Sequence, residues 1–513
     1  MKVATEGRPV EIAERLRSVS AGATATPRRA ALGQFFTPAP VAQMIASMLG
    51  GGDEDRVRLL DPGAGTGCLA AAAVEHFAAR GLRELEIVAW EIDLDLHPSL
   101  CATLEYSATW AAEQGLSVRW SVCGGDYIQD TASAVETDDD LERFDAVIMN
   151  PPYRKVNGQA GARLALERIG LPITNLYTAF LALAAMQLVP GGVLAAITPR
   201  SFANGPYAAP FRRFFFGLTG VERLHLFESR RQVFADSGVL QENVIFSVRR
   251  GERPRSVRLS FSDGIADVAR IREAAADEIV QLDDPQLFLR IPRRVEDVGI
   301  AATMAALPAS LESLDIAVST GRVVEFRARE HLRRAPAPGT VPLLRPNHFG
   351  ESGIHWPDVG ARERPNALAV SPASEKLLLP NETYVLVKRM TSKEERRRVR
   401  AAVSDPSAAP GPQIAFENHL NVFHRENRGL PPGLARGLAA FLNSSLVDCY
   451  VRQFNGHTQI NATDLRHLRY PDAESLSELG ATLGVEQLEQ EDLDRAVEEA
   501  LHGSVAPLVR SAA

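Results

Sequence analysis

The chain has 513 residues, of which 45% are hydrophobic and 23% are charged, and its formal net charge is −8 at pH 7. This length is sufficient for two or three domains with separate cores, and the composition is typical of a soluble globular protein. The longest apolar run, residues 179–189, is interrupted by Gln187 and is too short to cross a bilayer. The first thirty residues mix glutamates with arginines and lack an apolar h-region, so the sequence predicts neither a membrane span nor a secretory signal.

The acidic side chains are concentrated near the C terminus. Residues 472–500 contain ten Asp or Glu side chains and one arginine, so the remaining residues are close to neutral overall. A basic groove elsewhere is therefore compatible with the acidic total, because phosphate binding depends on where the charge lies. The four cysteines are scattered and form no C-x-x-C pair, which favours a reducing cytoplasm and argues against a zinc site.

A short apolar stretch that stops at two prolines is the most informative part of the sequence. Residues 144–149 have the pattern of a buried strand, and Asn150, Pro151, Pro152 and Tyr153 follow it. Proline fixes φ and removes a backbone donor, so this turn is stiff and offers mainly hydrogen-bond acceptors. Acceptors beside an aromatic ring suit a planar substrate that carries an NH2 group.

A glycine-rich loop lies between a predicted strand and a predicted helix. The strand covers residues 57–60, the loop is Asp-Pro-Gly-Ala-Gly-Thr-Gly at residues 61–67, and the helix covers residues 69–79. Glycines let the backbone turn tightly and approach a ligand closely at the carboxyl edge of a parallel sheet. The next predicted strand, residues 85–90, ends in Glu91, where a carboxylate is placed to accept hydrogen bonds from two ribose hydroxyls.

A third predicted strand, residues 118–122, leads to Asp126 and Tyr127. An aspartate here can accept a hydrogen bond from an adenine amino group, and we expect the Tyr127 ring to lie against that base. Together the three strand ends and the Asn-Pro-Pro-Tyr turn predict one open α/β sheet, with a nucleoside-sized ligand across its carboxyl edge.

A helix is predicted upstream of the glycine-rich loop, with apolar residues at helical spacing over residues 41–49. Thr37 and Pro38 have the pattern of its N-cap and first helical position. A helix N-terminus that follows polar and aromatic groups can hold a carboxylate.

The order of these motifs resembles that of the class I S-adenosylmethionine-dependent amino-methyltransferases of DNA. The motifs that carry the resemblance are Gln34–Pro38, Asp61–Gly67, Glu91, Asp126 and Asn150–Tyr153. More narrowly, the chain is similar to their gamma group, the Taq/Pst-type adenine-N6 enzymes of type II restriction-modification systems, in which the cofactor loop precedes the catalytic motif and the recognition domain follows. The resemblance covers about residues 31–250 and implies a Rossmann-like α/β methyltransferase sheet, a C-terminal mixed α+β target-recognition domain, and a cytoplasmic bacterial enzyme.

The resemblance implies S-adenosylmethionine as cofactor and no metal. Phe36, Thr37, Gly63 and Gly65 would surround its methionine end, Glu91 would bind the ribose, and Asp126 would bind the adenine. The complete set assigned to the cofactor is Phe36, Thr37, Asp61, Pro62, Gly63, Gly65, Glu91, Ile92, Asp126, Tyr127 and Asn150.

The exocyclic amine of a nucleobase is a poor nucleophile, because its lone pair is delocalised into the ring. If the Asn150 side-chain oxygen and the Pro151 carbonyl accept both amino hydrogens, the nitrogen can pyramidalise towards the methyl donor, and positioning and electrostatics then carry the rate. The base must be flipped out of the duplex to reach the site. Tyr153 would stack on one face, and the resemblance assigns Phe234 to the other. The predicted catalytic set is therefore Asn150, Pro151, Pro152, Tyr153 and Phe234.

Two polar stretches in the C-terminal half predict contacts with double-stranded DNA. Residues 388–400 contain seven basic side chains against two glutamates, and residues 450–465 are dense in Asn, Gln, His, Thr and Arg, which read base edges or hold phosphates. The second stretch is also similar to the C-terminal region of Pst-type enzymes. The predicted DNA-binding residues are Lys388, Arg389, Arg396, Arg452, His457, Thr458, Gln459 and Asn461. A separately encoded cognate restriction endonuclease is left open as a further partner.

These features predict the following division of the chain: an N-terminal extension over residues 1–30, the catalytic domain over 31–250, a bridge of mixed charge and weak periodicity over 251–310, the target-recognition domain over 311–471, and an acidic helical tail over 472–513.

Alternatives remain open from the sequence. Cytosine N4 needs the same acceptor turn as adenine N6. A protein-glutamine N5 methyltransferase also uses Asn-Pro-Pro-Tyr, but the long region beyond Leu311 argues against it. A DNA-binding subunit with a decayed catalytic fold is disfavoured by the intact turn with Glu91 and Asp126. A fused nuclease is a further alternative, but no Asp…(Asp/Glu)-x-Lys pattern lies convincingly on predicted strands, so a nuclease is not predicted.

Overall fold

The computed structural model of the protein describes residues 7–23, 37–50, 55–137, 141–156, 161–228, 242–251, 253–265, 267–294, 296–350, 353–358, 364–391, 395–456, 458–483 and 489–501. The chain divides into two compact units, Met1–Ile291 and Pro292–Ala513, called here the first and second unit.

The first unit is built on one sheet. Its strands are β1 (Arg56–Pro62), β2 (Glu84–Trp90), β3 (Ser117–Cys123), β4 (Phe144–Met149), β5 (Leu188–Pro199), β6 (Thr219–Phe227), β7 (Asn243–Arg250), β8 (Ser256–Ser262) and β9 (Arg270–Ala275). They follow the order β3-β2-β1-β4-β5-β7-β6-β8-β9. Strands β1 to β5 are parallel to one another, whereas β7 is antiparallel to both β5 and β6.

The described helices of this unit are α1 (Pro9–Ala23), α2 (Ala39–Ser47), α3 (Cys68–Ala79), α4 (His97–Glu113), α5 (Tyr127–Thr137), α6 (Gly161–Arg168), α7 (Leu176–Gln187), α8 (Ala209–Leu218) and α9 (Ala276–Ile279). Alternate residues of a strand face opposite sides of a sheet, and β4 is apolar on both. Val147 and Met149 join a core cluster with α5 to α8, whereas Ala146 and Ile148 join a second cluster with α1 to α4. This three-layer arrangement confirms the predicted α/β methyltransferase sheet.

The carboxyl ends of β1, β2 and β3 lie side by side. The backbone N–H groups of Gly63 and Ala64 donate to the Trp90 carbonyl at 2.8 Å, and the N–H of Glu91 donates to the Cys123 carbonyl at 3.0 Å. The loops that follow these three strands are therefore brought to one edge of the sheet, as the sequence predicts.

The segment expected to be a bridge, residues 251–310, differs from that expectation. Strand β8 pairs in parallel with β6, and β9 pairs with β8, so both extend the sheet of the first unit. The division between the units falls after Ile291. Strand β9 lies at the sheet edge, where Arg270 and Glu273 are exposed and Arg272 is half-buried, which explains its weak periodicity. Strand β8 lies between β6 and β9, and its buried Val257, Leu259 and Phe261 alternate with more exposed residues.

The second unit contains two small sheets. One has the order β10 (Ala317–Thr320), β18 (Leu420–His424), β15 (Tyr384–Lys388) and β16 (Ala401–Ser404); the other has the order β11 (Leu332–Arg333), β13 (Ala367–Ala369), β12 (Thr340–Leu344), β17 (Gln413–Phe416) and β14 (Leu378–Pro380). Its described helices are α10 (Glu296–Ala306), α11 (Pro432–Leu442), α12 (Ser445–Phe454), α13 (Ala462–Arg466), α14 (Ala473–Thr482) and α15 (Gln490–Leu501). The mixed α+β architecture of this unit agrees with the prediction.

The start of the acidic tail is packed into this unit. Helices α11 and α14 lie against each other, and glycines permit the close approach. A Cβ atom at Gly437 would lie 1.7 Å from the Leu476 carbonyl oxygen, and one at Gly480 would lie 1.9 Å from the Gly433 carbonyl oxygen. Among the described residues of the chain, no helix has both the length and the apolar character that crossing a membrane requires.

Candidate active site

The glycine-rich loop between β1 and α3 has a backbone conformation that requires glycine at several positions. Gly63, Gly65 and Gly67 have positive φ angles of 78°, 58° and 84°, a region that disfavours residues with a side chain. A Cβ atom at Gly67 would also lie 3.0 Å from Leu100 and 3.1 Å from Thr103. The loop sequence is therefore explained by conformation and by packing against α4.

Glu91, at the end of β2, is hydrogen-bonded to the glycine-rich loop. It is 4% exposed, and its carboxylate accepts from the N–H of Gly65 and from the N–H of Asp93, both at 2.8 Å. Burial raises the pKa of Glu91, while these two N–H donors lower it. The adjacent Ile92 is 52% exposed, so an apolar surface lies beside a fixed carboxylate.

Asp61 begins the loop and is completely buried. Neither carboxylate oxygen makes a hydrogen bond of ordinary geometry to another side chain or backbone group. Burial raises the pKa of Asp61 to about 8, the N–H of Ala70 acts in the opposite direction, and the charge of Glu91 raises it further. An unsatisfied buried carboxylate is unfavourable unless it is protonated or paired, so the raised pKa keeps Asp61 mostly protonated at neutral pH in the protein without ligand.

Asp126 lies at the start of α5 and accepts from the first turn of that helix. Its Oδ1 atom accepts from the N–H groups of Ile128 and Gln129 at 3.0 and 3.3 Å, and its Oδ2 atom accepts from the Gln129 side chain at 2.7 Å. The residue is half-buried. It therefore has a helix-capping role in the protein without ligand, at the sheet edge where it was expected.

Tyr127 does not have the position expected of it. Its side chain is 3% exposed, its hydroxyl donates to Gln187 at 2.6 Å, and its ring packs against Trp90 and Phe180 at centroid distances of 5.7 and 4.9 Å. Such a ring belongs to the core and has no exposed face for an adenine. Tyr127 follows Asp126 in the motif, but it is the first residue of α5 and its side chain faces the core.

The carboxamide of Asn150, at the end of β4, is fixed from both sides. Its Nδ2 atom donates to the Thr37 hydroxyl at 3.0 Å, and its Oδ1 atom accepts from the Tyr153 hydroxyl at 2.7 Å. The Tyr153 hydroxyl also lies 3.2 Å from the Ile197 carbonyl at the end of β5. With the Tyr153 hydroxyl donating to Oδ1, the amide presents its oxygen to Tyr153 and its nitrogen to Thr37, and the two contacts hold it in place.

Tyr153 has a buried hydroxyl and a partly exposed ring. Burial raises the pKa of its phenol, so the hydroxyl stays protonated and acts as a donor. The ring meets Tyr177 edge to face at 6.4 Å and 85°, and the Tyr177 hydroxyl forms a 2.8 Å hydrogen bond with Ser201. This support from α7 and from the residues after β5 was not predicted, because nothing in the local sequence links those positions to the turn.

Thr37 is 6% exposed and does not form the predicted cap. Helix α2 begins at Ala39, its N-cap position is Pro38, and no side chain caps it. The Thr37 hydroxyl accepts instead from Asn150. Three predicted site residues, Phe36, Phe234 and His457, lie outside the described residues.

In the second unit, two of the predicted DNA-binding side chains meet. The guanidinium of Arg389 donates to the side-chain oxygen of Gln459 at 3.3 Å. Thr458 and Arg396 are exposed. Lys388 lies with its Nζ atom 5.2 Å from the Phe349 ring centroid, and burial lowers its pKa.

Two other predicted DNA-binding residues have structural partners. Arg452 pairs with Asp448 one helical turn earlier at 2.6 Å and donates to the Glu395 carbonyl at 3.0 Å. Asn461 caps α13, and its backbone N–H donates to Asp464 at 2.9 Å in a capping box. Some of the polar residues at positions 450–465 thus serve to cap short helices or to form ion pairs within them.

The residues at the carboxyl edge fit the predicted S-adenosylmethionine. The fixed carboxylate of Glu91 suits hydroxyl donors, and the exposed Ile92 suits an apolar ring face, whereas Asp61 is completely buried at the start of the glycine-rich loop. Within the described ranges, no three His, Cys, Asp or Glu side chains are grouped as metal ligands.

Comparison with known proteins identifies the family. The chain is 38% identical over 477 residues to the type II methyltransferase M.PstI of Providencia stuartii, covering 92% of this chain and 93% of the relative. The chain belongs to the type II methyltransferase family. M.BsuBI of Bacillus subtilis, another type II methyltransferase, is 38% identical over 478 residues, covering 92% of this chain and 94% of the relative. These values confirm the predicted kinship with restriction-modification methyltransferases.

Two further matches agree with this membership of the type II methyltransferase family. Residues 120–234, which include the Asn150–Tyr153 turn, match the model described as Eco57I restriction-modification methylase. The type IIL restriction-modification enzyme MmeI, solved in complex with DNA, superposes with a TM-score of 0.55 at 11% identity, covering 97% of this chain and 73% of that one. At that identity the superposition supports the fold alone.

Proposed function

We propose that the protein transfers a methyl group from S-adenosylmethionine to the exocyclic N6 of an adenine in a short duplex DNA site. The observation that carries this proposal is the fixed carboxamide of Asn150, held by Thr37 and Tyr153 at the end of β4. The relatives named as type II methyltransferases support the reaction class.

The carboxyl edge of the sheet supports the binding of the methyl donor. When bound, S-adenosylmethionine supplies an electrophilic methyl group. Glu91 is suited to accept from ribose hydroxyls and Ile92 to contact the adenine ring. Gly63 and Gly65 leave room for close approach of the methionine portion, and the buried Asp61 contributes through the loop that it begins. Asp126 can accept from the adenine amino group while it caps α5.

The turn after β4 supports the binding of the target amine. A carboxamide oxygen has two lone pairs, so Asn150 Oδ1 can accept from Tyr153 and from a nucleobase NH2 group together. The carbonyl of Pro151 offers a second acceptor, and withdrawing both amino hydrogens from the ring plane localises the nitrogen lone pair. The site then acts by positioning and by fixed dipoles. The partly exposed Tyr153 ring provides a stacking face for a flipped base.

The second unit is suited to target recognition. Arg389 and Gln459 lie together there, and arginine and amide side chains read base edges in the major groove. Exposed Arg396 and Thr458 and half-buried Lys388 offer further groups for phosphate or base contact. Arg452 and Asn461 support this surface indirectly, through the short helices that they stabilise.

The proposal extends to the cellular setting. The family of M.PstI and the restriction-modification methylase match support a separately encoded cognate endonuclease that cleaves the same unmodified site. The substrate would then be chromosomal DNA in a bacterial cytoplasm.

The test is long-read modified-base sequencing of DNA from a methylation-free host that expresses the protein. Three versions are compared: the wild type, Asn150→Ala, and Gln114→Ala, which removes an exposed amide at the end of α4. We expect N6-methyladenine at one short motif for the wild type and Gln114→Ala, and none for Asn150→Ala. The resemblance also assigns Asn150 to the cofactor set, but the role proposed here is to accept from the target amine. Calorimetry with S-adenosylmethionine should therefore give largely similar affinities for all three versions.

Each other result has a definite meaning. N4-methylcytosine at the motif would leave the proposed mechanism unchanged but would show that the target base is cytosine and not adenine. No modified base with intact cofactor affinity would point to an amide of a protein substrate. Loss of cofactor affinity in Asn150→Ala would contradict the role assigned to the turn.

A further inference from the structure

Three separate segments of the second unit converge on one surface. The N–H of Arg389, just after β15, donates to the His419 carbonyl at 2.8 Å, and the N–H of Ile460 donates to the Arg389 carbonyl at 2.8 Å. The N–H of Thr391 donates to the Thr458 carbonyl at 3.1 Å. Residues 417–419, 389–391 and 458–460 therefore form one continuous backbone framework, called here the recognition cluster.

Within the recognition cluster, a buried carboxylate orients an exposed histidine. The Glu417 side chain is 1% exposed, whereas that of His419 is 48% exposed. One Glu417 oxygen accepts from the His419 backbone N–H at 3.0 Å, and the other lies 2.6 Å from the imidazole Nδ1 atom. A carboxylate only accepts, so Nδ1 carries a proton, and Nε2 lies on the side of the ring away from Glu417.

The turn that carries this pair is rigid. The N–H of Glu417 donates to the Leu344 carbonyl at 3.0 Å, and the N–H of Asn418 donates to the Val323 carbonyl at 2.9 Å. A Cβ atom at Gly321 would lie 2.2 Å from the Glu417 carbonyl oxygen, so the neighbouring backbone approaches as closely as glycine allows. The position of His419 is thus set by backbone contacts on several sides.

The side chains around His419 are of the kinds that read bases. Arg389 donates to the Asn418 carbonyl and to the Gln459 side chain, each at 3.3 Å. The buried Asn421 anchors the third segment by donating to the Ile460 carbonyl at 2.8 Å. The contacting Arg389 and Gln459 side chains therefore lie on the same backbone framework as His419, and a preorganised framework is what precise readout requires.

We propose that His419, oriented by Glu417, reads one base pair of the DNA target site; this inference rests on the proposed function. The Glu417 carboxylate offsets any positive charge on the imidazole, so the pair offers a phosphate little net attraction. What the pair does offer is a hydrogen-bonding Nε2 atom in a fixed place. Directional contacts of that kind discriminate between base edges, whereas phosphate contacts depend mainly on charge. His419 is thus a specificity-determining residue, and Glu417 is its positioning residue.

The experiment compares the full-length wild type with His419→Ala, His419→Gln, Glu417→Gln and His331→Ala. His331 also lies beside a carboxylate, 3.4 Å from Glu330, elsewhere in the same unit. There the histidine is the more buried partner, so this control tests the loss of a histidine that no buried carboxylate orients. The modified motif is read by long-read sequencing. Methylation rates are then measured on duplexes that each carry one base-pair change from the wild-type motif, at two salt concentrations. Circular dichroism and thermal unfolding check that each version is folded, because S-adenosylmethionine is proposed to bind the first unit and the substitutions lie in the second.

For His419→Ala we expect discrimination at one base pair to fall roughly 10- to 100-fold, with the other positions unchanged. Glu417→Gln should weaken discrimination at the same base pair by a smaller factor, and His331→Ala should match the wild type. If His419→Ala does not fold, His419→Gln decides: an altered preference at one base pair supports the inference, and the wild-type preference overturns it.

Two results from folded variants would also overturn the inference. An equal loss on every duplex with a shallower salt dependence would indicate a phosphate contact, and unchanged discrimination would indicate that His419 contacts no base. A wild type that modifies no DNA would instead overturn the proposed function, so the two failures are distinguishable.

Discussion

The Asn150 carboxamide donates to the hydroxyl of Thr37 at 3.0 Å, across 113 positions of sequence. This bond joins the start of α2 to the end of β4 and leaves the amide oxygen oriented towards Tyr153. We predict that Thr37→Val lowers the methyl-transfer rate about 5- to 10-fold, since one hydrogen bond of roughly 1 kcal/mol is lost and the amide can rotate. Single-turnover assays with labelled S-adenosylmethionine measure this, and Thr37→Ser, which keeps the hydroxyl, should restore most of the rate. Equal rates for Val and Ser would contradict a role for the bond.

Tyr153 combines two contributions that substitutions can separate. Tyr153→Phe removes only the donor to Asn150 and should slow transfer modestly while leaving DNA affinity unchanged. Tyr153→Ala also removes the stacking face and should weaken binding of the flipped base by about 1–3 kcal/mol. Fluorescence of 2-aminopurine at the target position reports flipping directly. If Phe and Ala weaken flipping to the same extent, the ring is not the stacking surface.

Asp61 makes the stability of the ligand-free protein depend on pH. Burial raises its pKa to about 8, above the ordinary value of about 3.9 in an unfolded chain. The folded state therefore binds more protons than the unfolded state between these values, and the free energy of unfolding should fall as pH rises from 4 to 8. We expect Asp61→Asn to flatten this dependence and to be more stable than the wild type at pH 8. Denaturation at pH 6, 7 and 8 tests both points; parallel curves for the two proteins would refute the assignment.

Substitution by alanine should have opposite effects at two helical glycines of the second unit, because only one of them lies at a contact between helices. Gly437→Ala places a Cβ atom on the Leu476 carbonyl, so the helices must separate, and we expect a loss of about 1–3 kcal/mol. Gly299 lies in α10 with open space around its Cβ position, and Gly299→Ala should stabilise the protein by about 0.5–1 kcal/mol. Thermal unfolding of the two variants gives the comparison, and a neutral Gly437→Ala would show that the helices can move apart.

The sequence predicts those parts of the site whose signals are local. The glycine-rich loop, the acid after β2 and the Asn-Pro-Pro-Tyr turn each follow a readable strand, and parallel strands bring their carboxyl ends to one edge. The bonds from Thr37 to Asn150 and from Gly65 to Glu91 could not be predicted, because they depend on side-chain geometry between elements distant in sequence. Tyr127 was misjudged because the same motif position can face the ligand or the core, and helical phase decides between them.

In the second unit, too, the sequence did not predict contacts between side chains that are distant along the chain. Charge and polarity indicated residues 388–400 and 450–465, but they did not separate Arg389, which faces Gln459, from Arg452, which pairs with Asp448. Strands β8 and β9 also escaped prediction, for two different reasons. Strand β9 lies at the sheet edge and is mostly exposed, so its sequence shows no apolar period. Strand β8 lies between β6 and β9 and does alternate, but its period rests on only three apolar residues, Val257, Leu259 and Phe261.

The packing of α14 onto α11 also determines how far the protein can be trimmed. Residues 472–501 look dispensable from their acidity alone, yet Leu476 and Leu479 are buried along with Leu438 of α11. A truncation after residue 471 would uncover that apolar helix face in water. Such a shortened protein should aggregate, so any shorter form of the second unit must keep the acidic helices.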